Sequence, residues 1–184
     1  VVKKKIITVR ITDSEIAEIK QNFDEGYGIR LIHDKKIASI QTTNQQEIEK
    51  TIDSAFKTSS KLKPRDFWRG LPHDATLKQL DGTFDEKLAK ISGEEVMDIV
   101  QNMINSANSD KVNTITGSLN IVSENFEIAN SNGLHLNEKA TYISGIINAE
   151  SEYGTLPVSG IGHASGRTLS NFSAEQVGND AKIM

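Results

Sequence analysis

The 184-residue sequence has no cysteine. That excludes disulfides, thiolate metal sites and cysteine nucleophiles within these residues, and it fits a reducing compartment, so the expected location is cytoplasmic. Long apolar runs are missing too. None approaches the roughly 20 residues that carry a helix across a bilayer, so no membrane partner is expected. Val1-Val2 ahead of Lys3-Lys4-Lys5 is too short to serve as a signal peptide. A basic excess is also lacking. The formal net charge is −4, with 21 Lys and Arg against 25 Asp and Glu. This argues against nucleic acid as a partner, although residues 57–69 form a local basic run with Phe67 and Trp68 inside it. Catalytic signatures are absent as well: Gly-x-Ser-x-Gly does not occur. His33, His73, His135 and His163 include no His-Glu-x-x-His and no helical i, i+4 pair.

What remains is ordinary soluble-protein material, 36% hydrophobic and 25% charged. A chain of this length suits one domain or two small ones with a real core. Residues 126–145 organise the pattern. Phe126 and Ile128, then Leu134 and Leu136, place apolar side chains two apart, the period of a strand with one buried face. Asn130-Ser131-Asn132-Gly133 between them is a hairpin turn signal, since Asn and Gly tolerate positive φ. Residues 140–149, rich in Thr, Tyr and Ile, continue as strand.

Upstream, residues 5–11 read as a strand with Ile7, Val9 and Ile11 on one face, and Thr12-Asp13-Ser14 as a turn. Residues 15–23 fit either helix or strand, with strand preferred. Residues 26–32 and 36–42 read as two further strands joined by a tight turn at His33-Asp34-Lys35, so the first third is expected to be an antiparallel meander. Thr43 or Asn44, with Gln46 or Glu47, has capping-box spacing before a helix whose apolar stripe is Ile48, Ile52, Ala55 and Phe56. Lys57, Lys61 and Lys63 complement its C-terminal end, and Pro64 stops it. Residues 64–90 lack a period; Phe67-Trp68 is expected to fold back on the core. Ser92 and Glu95 open a second helix with Val96, Val100, Met103 and Ala107 on one face. Residues 112–122 alternate as a strand. Residues 150–166, with four glycines and Pro157, are expected to be loop or kinked strand. Ser173 and Gln176 cap a last helix, whose apolar stripe begins with Val177 and Ala181.

The pattern predicts an α+β fold: a largely antiparallel β-sheet packed against two or three helices. Its sub-regions are 1–63, strands plus helix; 64–110, irregular linker plus helix; and 111–184, hairpin region and the start of a helix. The chain is expected to be a piece of a longer protein. His135 and Glu138 are a weak two-member ligand set. Ser159-Gly160-Ile161-Gly162 lacks the residues that complete a phosphate loop, and reads as a backbone kink. On these grounds the chain is scaffold, binding surface or partner interface.

Three strings carry a resemblance. Gly26-Tyr27-Gly28-Ile29-Arg30-Leu31 is followed by Asp34-Lys35-Lys36-Ile37-Ala38-Ser39 and by Thr42-Thr43 before a helix. Ile128-Ala129-Asn130-Ser131-Asn132-Gly133 is the second. The third is Gly-Arg-x-x-x-x-Phe-Ser-x-Glu-x-x-Gly-x-x-Ala, from Gly166 to Ala181. Together, and in this order, they resemble the N-terminal region of the TldD/PmbA family, first described as modulators of DNA gyrase and containing metallopeptidases.

The resemblance implies an α/β N-terminal region, followed in the family by a β-rich C-terminal domain. It implies zinc in the full-length family member, held by a His-Glu-x-x-x-His helix and a further ligand near the C-terminus. A zinc-activated water would attack a peptide carbonyl there, with the Glu as general base. No catalytic or metal residue carries over to residues 1–184, which contain no such motif. The implied role is a scaffold and substrate chamber acting on unfolded or leader peptides. The implied partners are peptide substrate and a homodimer, or a heterodimer with a TldD/PmbA paralogue. The alternative is a non-catalytic partner subunit or a regulatory module of gyrase-modulator type. Arg30, Asn130, Asn132, Gly133 and Arg167 are the candidate peptide-cleft or interface residues.

Overall fold

The computed structural model describes residues 1–73 and 80–182. In chain order the elements are β1 (Val2–Thr12), β2 (Glu15–His33), β3 (Lys36–Thr42), α1 (Ile48–Ser60), α2 (Glu86–Ala89), α3 (Gly93–Ala107), β4 (Thr114–Ala129), β5 (His135–Tyr153), β6 (Leu156–Gly166) and α4 (Ala174–Ala181). The strands form one six-stranded sheet in the order β3-β2-β1-β4-β5-β6. This is the α+β class with the antiparallel sheet that the alternating pattern predicts. No helix among the described residues is long and apolar enough to cross a membrane. The chain divides into two compact units. One comprises Val1–Lys3, Asp24–Gln79 and Asn125–Glu138; the other comprises Lys4–Phe23, Leu80–Glu124 and Lys139–Met184.

The second unit holds the larger core. Ile7, Val9 and Ile11 of β1 are buried, as are Ile115, Leu119 and Ile121 of β4 and Ile143 and Ile147 of β5. The helix packed with them is α3, where Val96, Val100, Met103 and Ala107 are fully buried. Each large side chain removed from water this way contributes about 1.5–3 kcal/mol. Both bonds of the predicted capping box form: Glu95 N–H donates to Ser92 Oγ at 3.2 Å, and Ser92 N–H donates to Glu95 Oε2 at 2.8 Å. That carboxylate lies below its ordinary pKa, chiefly because it accepts the Ser92 backbone N–H.

α4 lies close against α3 because Gly178 has no side chain. A Cβ there would meet the Met103 carbonyl oxygen and lie 2.7 Å from Ala107 N. The same device explains a correction. Residues 150–166 are neither loop nor kink. β5 runs on to Tyr153, and β6 pairs with it in unbroken register from Tyr153↔Leu156 to Ile143↔Gly166. Only Gly154, at the turn, has positive φ, +65°. Gly160 and Gly162 sit in regular strand, and a Cβ on either would strike the α4 backbone at Ala181 or Val177. The glycines clear space for a helix, so the kink read into Ser159–Gly162 is wrong.

In the first unit, β2 and β3 pair antiparallel from Tyr27↔Thr42 to His33↔Lys36. The turn is Asp34-Lys35, with φ of +50° and +58°, positive at both central positions as a tight hairpin turn requires. The two strands expected at 15–23 and 26–32 are one 19-residue strand. Gly26 and Gly28 do not break it, because neither adopts positive φ.

α1 packs on β3 and buries Ala55 and Ser59. Its stripe is only half effective: Ile52 is 39% and Phe56 49% exposed. Asn44 caps a short 3-10 turn, accepting from Gln46 N–H at 3.0 Å, rather than capping α1 directly. Phe67 does not fold back on a core. It is 70% exposed, and Trp68 is half-buried. The expected buried face at Phe126 and Ile128 is also corrected. Both are 43% exposed, while Leu134 across the turn is buried.

Candidate functional site

The first unit contains an open concavity of about 1210 Å³. Its floor is β2 and β3 between Gly28 and Gln41, and its walls are Ile52 of α1, the segment bearing Trp68, Leu71 and Pro72, and the β4–β5 turn. The floor forms because residues 28–32 and 39–41 are adjacent in antiparallel register, with Arg30 opposite Ser39. By the two-residue period Arg30 and Ser39 share one face of the strand pair, and Leu31 and Ile40 lie on the other. β3 ends the sheet order, so one of its edges has no strand partner among the described residues.

The β4–β5 turn fixes the wall. Asn130 Oδ1 accepts from Asn132 N–H at 2.9 Å and from Leu134 N–H at 3.2 Å, an Asx turn that closes the hairpin. Its Nδ2 donates to the Pro72 carbonyl at 2.9 Å, and Asn132 Nδ2 donates to the Leu71 carbonyl at 3.1 Å. Gly133 has φ of +90°, a conformation that L side chains rarely adopt. Both asparagines therefore tie the otherwise irregular segment at Leu71–Pro72 to the hairpin. The structure thus brings Arg30 and Asn130 to one concavity, with Asn132 and Gly133 in the turn that shapes it.

Arg167 belongs to the other unit. Its guanidinium lies 6.0 Å from the Tyr142 ring centroid, and its carbonyl accepts from Thr141 Oγ1 at 2.6 Å. Thr141 is buried, and no sequence motif marks it. It also accepts from Asp85 N–H at 2.9 Å. The Asp85 carboxylate in turn accepts from Leu169 N–H at 2.9 Å and from Lys87 N–H at 2.9 Å. Accepting the Leu169 N–H, above all, holds Asp85 below the usual aspartate pKa. These residues staple three segments of the second unit. Their signal in sequence is faint, since Thr141 and Asp85 are 56 positions apart.

Zinc fits none of these residues. His135 Nε2 bonds Glu127 Oε1 at 2.7 Å, not Glu138. His33 lies edge-on to Phe56 and 3.3 Å from Asp34 Oδ2. A protein zinc site takes three or four ligands, and no group of three His, Asp or Glu side chains among the described residues is placed to hold a metal.

The geometry is that of an antiparallel α+β sheet with a mainly apolar concavity. Family models then narrow the class. Residues 1–59 match PmbA/TldA metallopeptidase domain 1, and residues 86–183 match the PmbA/TldA metallopeptidase central domain. The chain belongs to the PmbA/TldD metallopeptidase family. No curated protein matches it in sequence.

Three solved structures share the fold. A proposed modulator of DNA gyrase from Bacteroides thetaiotaomicron superposes with a TM-score of 0.82 at 15% identity, over 98% of this chain and 43% of that one. TldE from Thermococcus kodakarensis gives 0.78 at 17% identity, over 98% and 41%. A proposed modulator of a DNA gyrase from Thermotoga maritima gives 0.76 at 18%, over 98% and 41%. The chain therefore spans about two fifths of the length of each.

Proposed function

We propose that this chain is the scaffold and substrate-chamber region of a PmbA/TldD-type metallopeptidase acting on unfolded or leader peptides in the cytoplasm. Zinc is supplied by residues other than these, and the working assembly is a homodimer or a heterodimer with a PmbA/TldD paralogue. The reading is supported by two observations in a chain of this family: the mainly apolar concavity lined by β2, β3 and the β4–β5 turn, and the edge of β3 that has no strand partner among the described residues. An extended peptide pairs with a strand edge through main-chain hydrogen bonds whatever its sequence, and sets alternate side chains into adjoining pockets. An unfolded segment meets that requirement; a folded protein does not.

The test is binding of a labelled, unstructured peptide, read by fluorescence anisotropy. Peptides of unrelated sequence are expected to bind alike. N-methylation at alternate residues, which removes the main-chain donors, is expected to abolish binding. No binding, or equal binding of the methylated peptide, overturns the reading. A second reading is supported by the neighbours described as gyrase modulators: a partner subunit or regulatory module without peptidase activity. A full-length protein that binds peptide, lacks zinc and cleaves only when mixed with a paralogue supports this one.

A further inference from the structure

We infer that the C-terminal end of α1, with the β2–β3 turn beside it, is a docking surface for an anionic phospholipid bilayer. Its lysines and arginines meet the head groups, and Leu62 and Phe67 enter the acyl boundary. The inference stands independently of the peptide reading of the concavity. Absence of a spanning helix bears on crossing a bilayer, not on lying against one.

Charge is segregated in this chain. Residues 33–36 and 56–69 hold seven Lys and Arg against Asp34 and Asp66, a net of +5 in a chain of net −4, so everything else sums to −9. The structure joins the two stretches. Arg65 N–H donates to the Lys35 carbonyl at 2.8 Å, Lys36 Nζ donates to the Ser60 carbonyl at 3.2 Å, and the His33 and Phe56 rings meet edge-on. Lys35 and Lys36 thus join Lys57, Lys61, Lys63 and Arg65 in one patch, which Arg69 extends. All of them but Lys36 are exposed. Among the described residues no carboxylate pairs with a Lys or Arg of the patch. The lysines that do form ion pairs are Lys3, Lys4, Lys20 and Lys90, all outside it. The C-terminal end of α1 presents only about half a unit of negative charge, which leaves most of the +5 for a partner. Apolar side chains are interleaved with the cations. Leu62, 39% exposed, stands between Lys61 and Lys63 in the chain, and Phe67, 70% exposed, stands between Arg65 and Arg69. Five of the seven cations are Lys, a hydrated point charge, rather than Arg, the residue of choice for reading nucleic-acid phosphates. Lysines around exposed apolar side chains suit diffuse attraction to anionic head groups, with shallow insertion of the apolar groups.

Residues 1–184 are sedimented with phosphatidylcholine vesicles, and with vesicles to which phosphatidylglycerol is added. Binding is expected only with phosphatidylglycerol, and added salt is expected to release the protein. The triple variant Lys57→Gln, Lys61→Gln, Lys63→Gln is expected to bind roughly 100-fold more weakly, about 5-fold for each lysine. Phe67→Ser is expected to weaken binding about 10-fold. The control is Lys4→Gln, Lys20→Gln, Lys90→Gln, which makes the same change of net charge outside the patch and is expected to bind as the wild type does. Circular dichroism checks that each variant is folded. No binding to the phosphatidylglycerol vesicles, or an equal loss in both triple variants, would overturn the inference. Phe67→Ser binding as tightly as the wild type would overturn the insertion. A single-stranded oligonucleotide that binds where vesicles do not, and is lost in the patch variant, would assign the surface to nucleic acid and overturn the bilayer. Peptide affinity, read by anisotropy, is expected to be the same in the patch variant and the wild type, so failure here and failure of the peptide reading are separate results.

Discussion

Gly162→Ala adds one carbon where the second unit has no space. The new Cβ would strike the Val177 carbonyl oxygen and lie 2.8 Å from Ala181 N and 2.9 Å from Val177 C. All three are backbone atoms of α4, so no change of rotamer relieves the clash. Either β6 bends or α4 lifts, and the contact of Val177 and Ala181 with the core is lost. Overpacking costs about 1–3 kcal/mol, and an unyielding backbone partner puts this case near the top of that range. In a chain of this size each kcal/mol moves Tm by about 2–4 °C, so a fall of about 6–12 °C is expected. Far-UV circular dichroism through a thermal melt measures it. Gly93→Ala is the matched control. It sits at the first residue of α3, its Cβ would meet nothing within 4 Å, and its φ is not positive. Restricting the unfolded chain there is expected to stabilise by about 0.4–1 kcal/mol. One chemical change thus has opposite signs at two sites. A Gly162→Ala protein melting with the wild type would refute the close-approach account of the β6 glycines.

The same staples and turns give further expectations. Thr141→Val keeps the volume but leaves Asp85 N–H and the Arg167 carbonyl without their partner, so chemical denaturation is expected to show a loss of about 1–3 kcal/mol. Asp85 has a folded pKa below its unfolded value, so its contribution is present above the ordinary aspartate value and is lost as pH falls through the lower folded one. Asp85→Asn is therefore expected to lower stability at neutral pH and to flatten the decline below about pH 4, read from denaturation midpoints against pH. Asn130→Ala removes the Asx turn and the Pro72 tie together. It is expected to red-shift Trp68 emission and to cost about 1–2 kcal/mol, since these bonds are largely exposed.

The sheet was legible because local patterns and tertiary packing agree. Ile7, Val9 and Ile11 alternate in the sequence and are buried in the structure; Ser92 and Glu95 form the box their spacing suggests. Asp34-Lys35 and the Asn130 turn sit where the turn residues fall. Residues 150–166 failed for a physical reason. Glycine is read as freedom of φ, but it also serves as absence of a Cβ, and only the partner backbone distinguishes the two uses. The partner of Gly162 is Val177, which no local window contains. Phe67 and Phe126 failed differently. Apolar residue type predicts burial on average, and both lie in the unit whose described residues bury little beyond Ala38, Ala55 and Leu134.

That sparse burial bears on the site itself. The apolar residues of the first unit line a concavity instead of closing over one another, so Ile52, Trp68 and Ile128 keep surface that a core would hide. Leaving such surface open costs stability at about 25 cal/mol per Å². The two asparagine side chains tie the Leu71–Pro72 wall to the β4–β5 turn. Sequence marked Arg30, Asn130, Asn132 and Gly133 through family strings, but it did not supply their division of labour. Asn130, Asn132 and Gly133 build the turn and wall, whereas Arg30 lies on the β2–β3 pair, where its Nε donates to Ser39 Oγ. Variants of the asparagines should therefore move stability and peptide affinity together, because the same bonds that close the turn set the wall of the concavity.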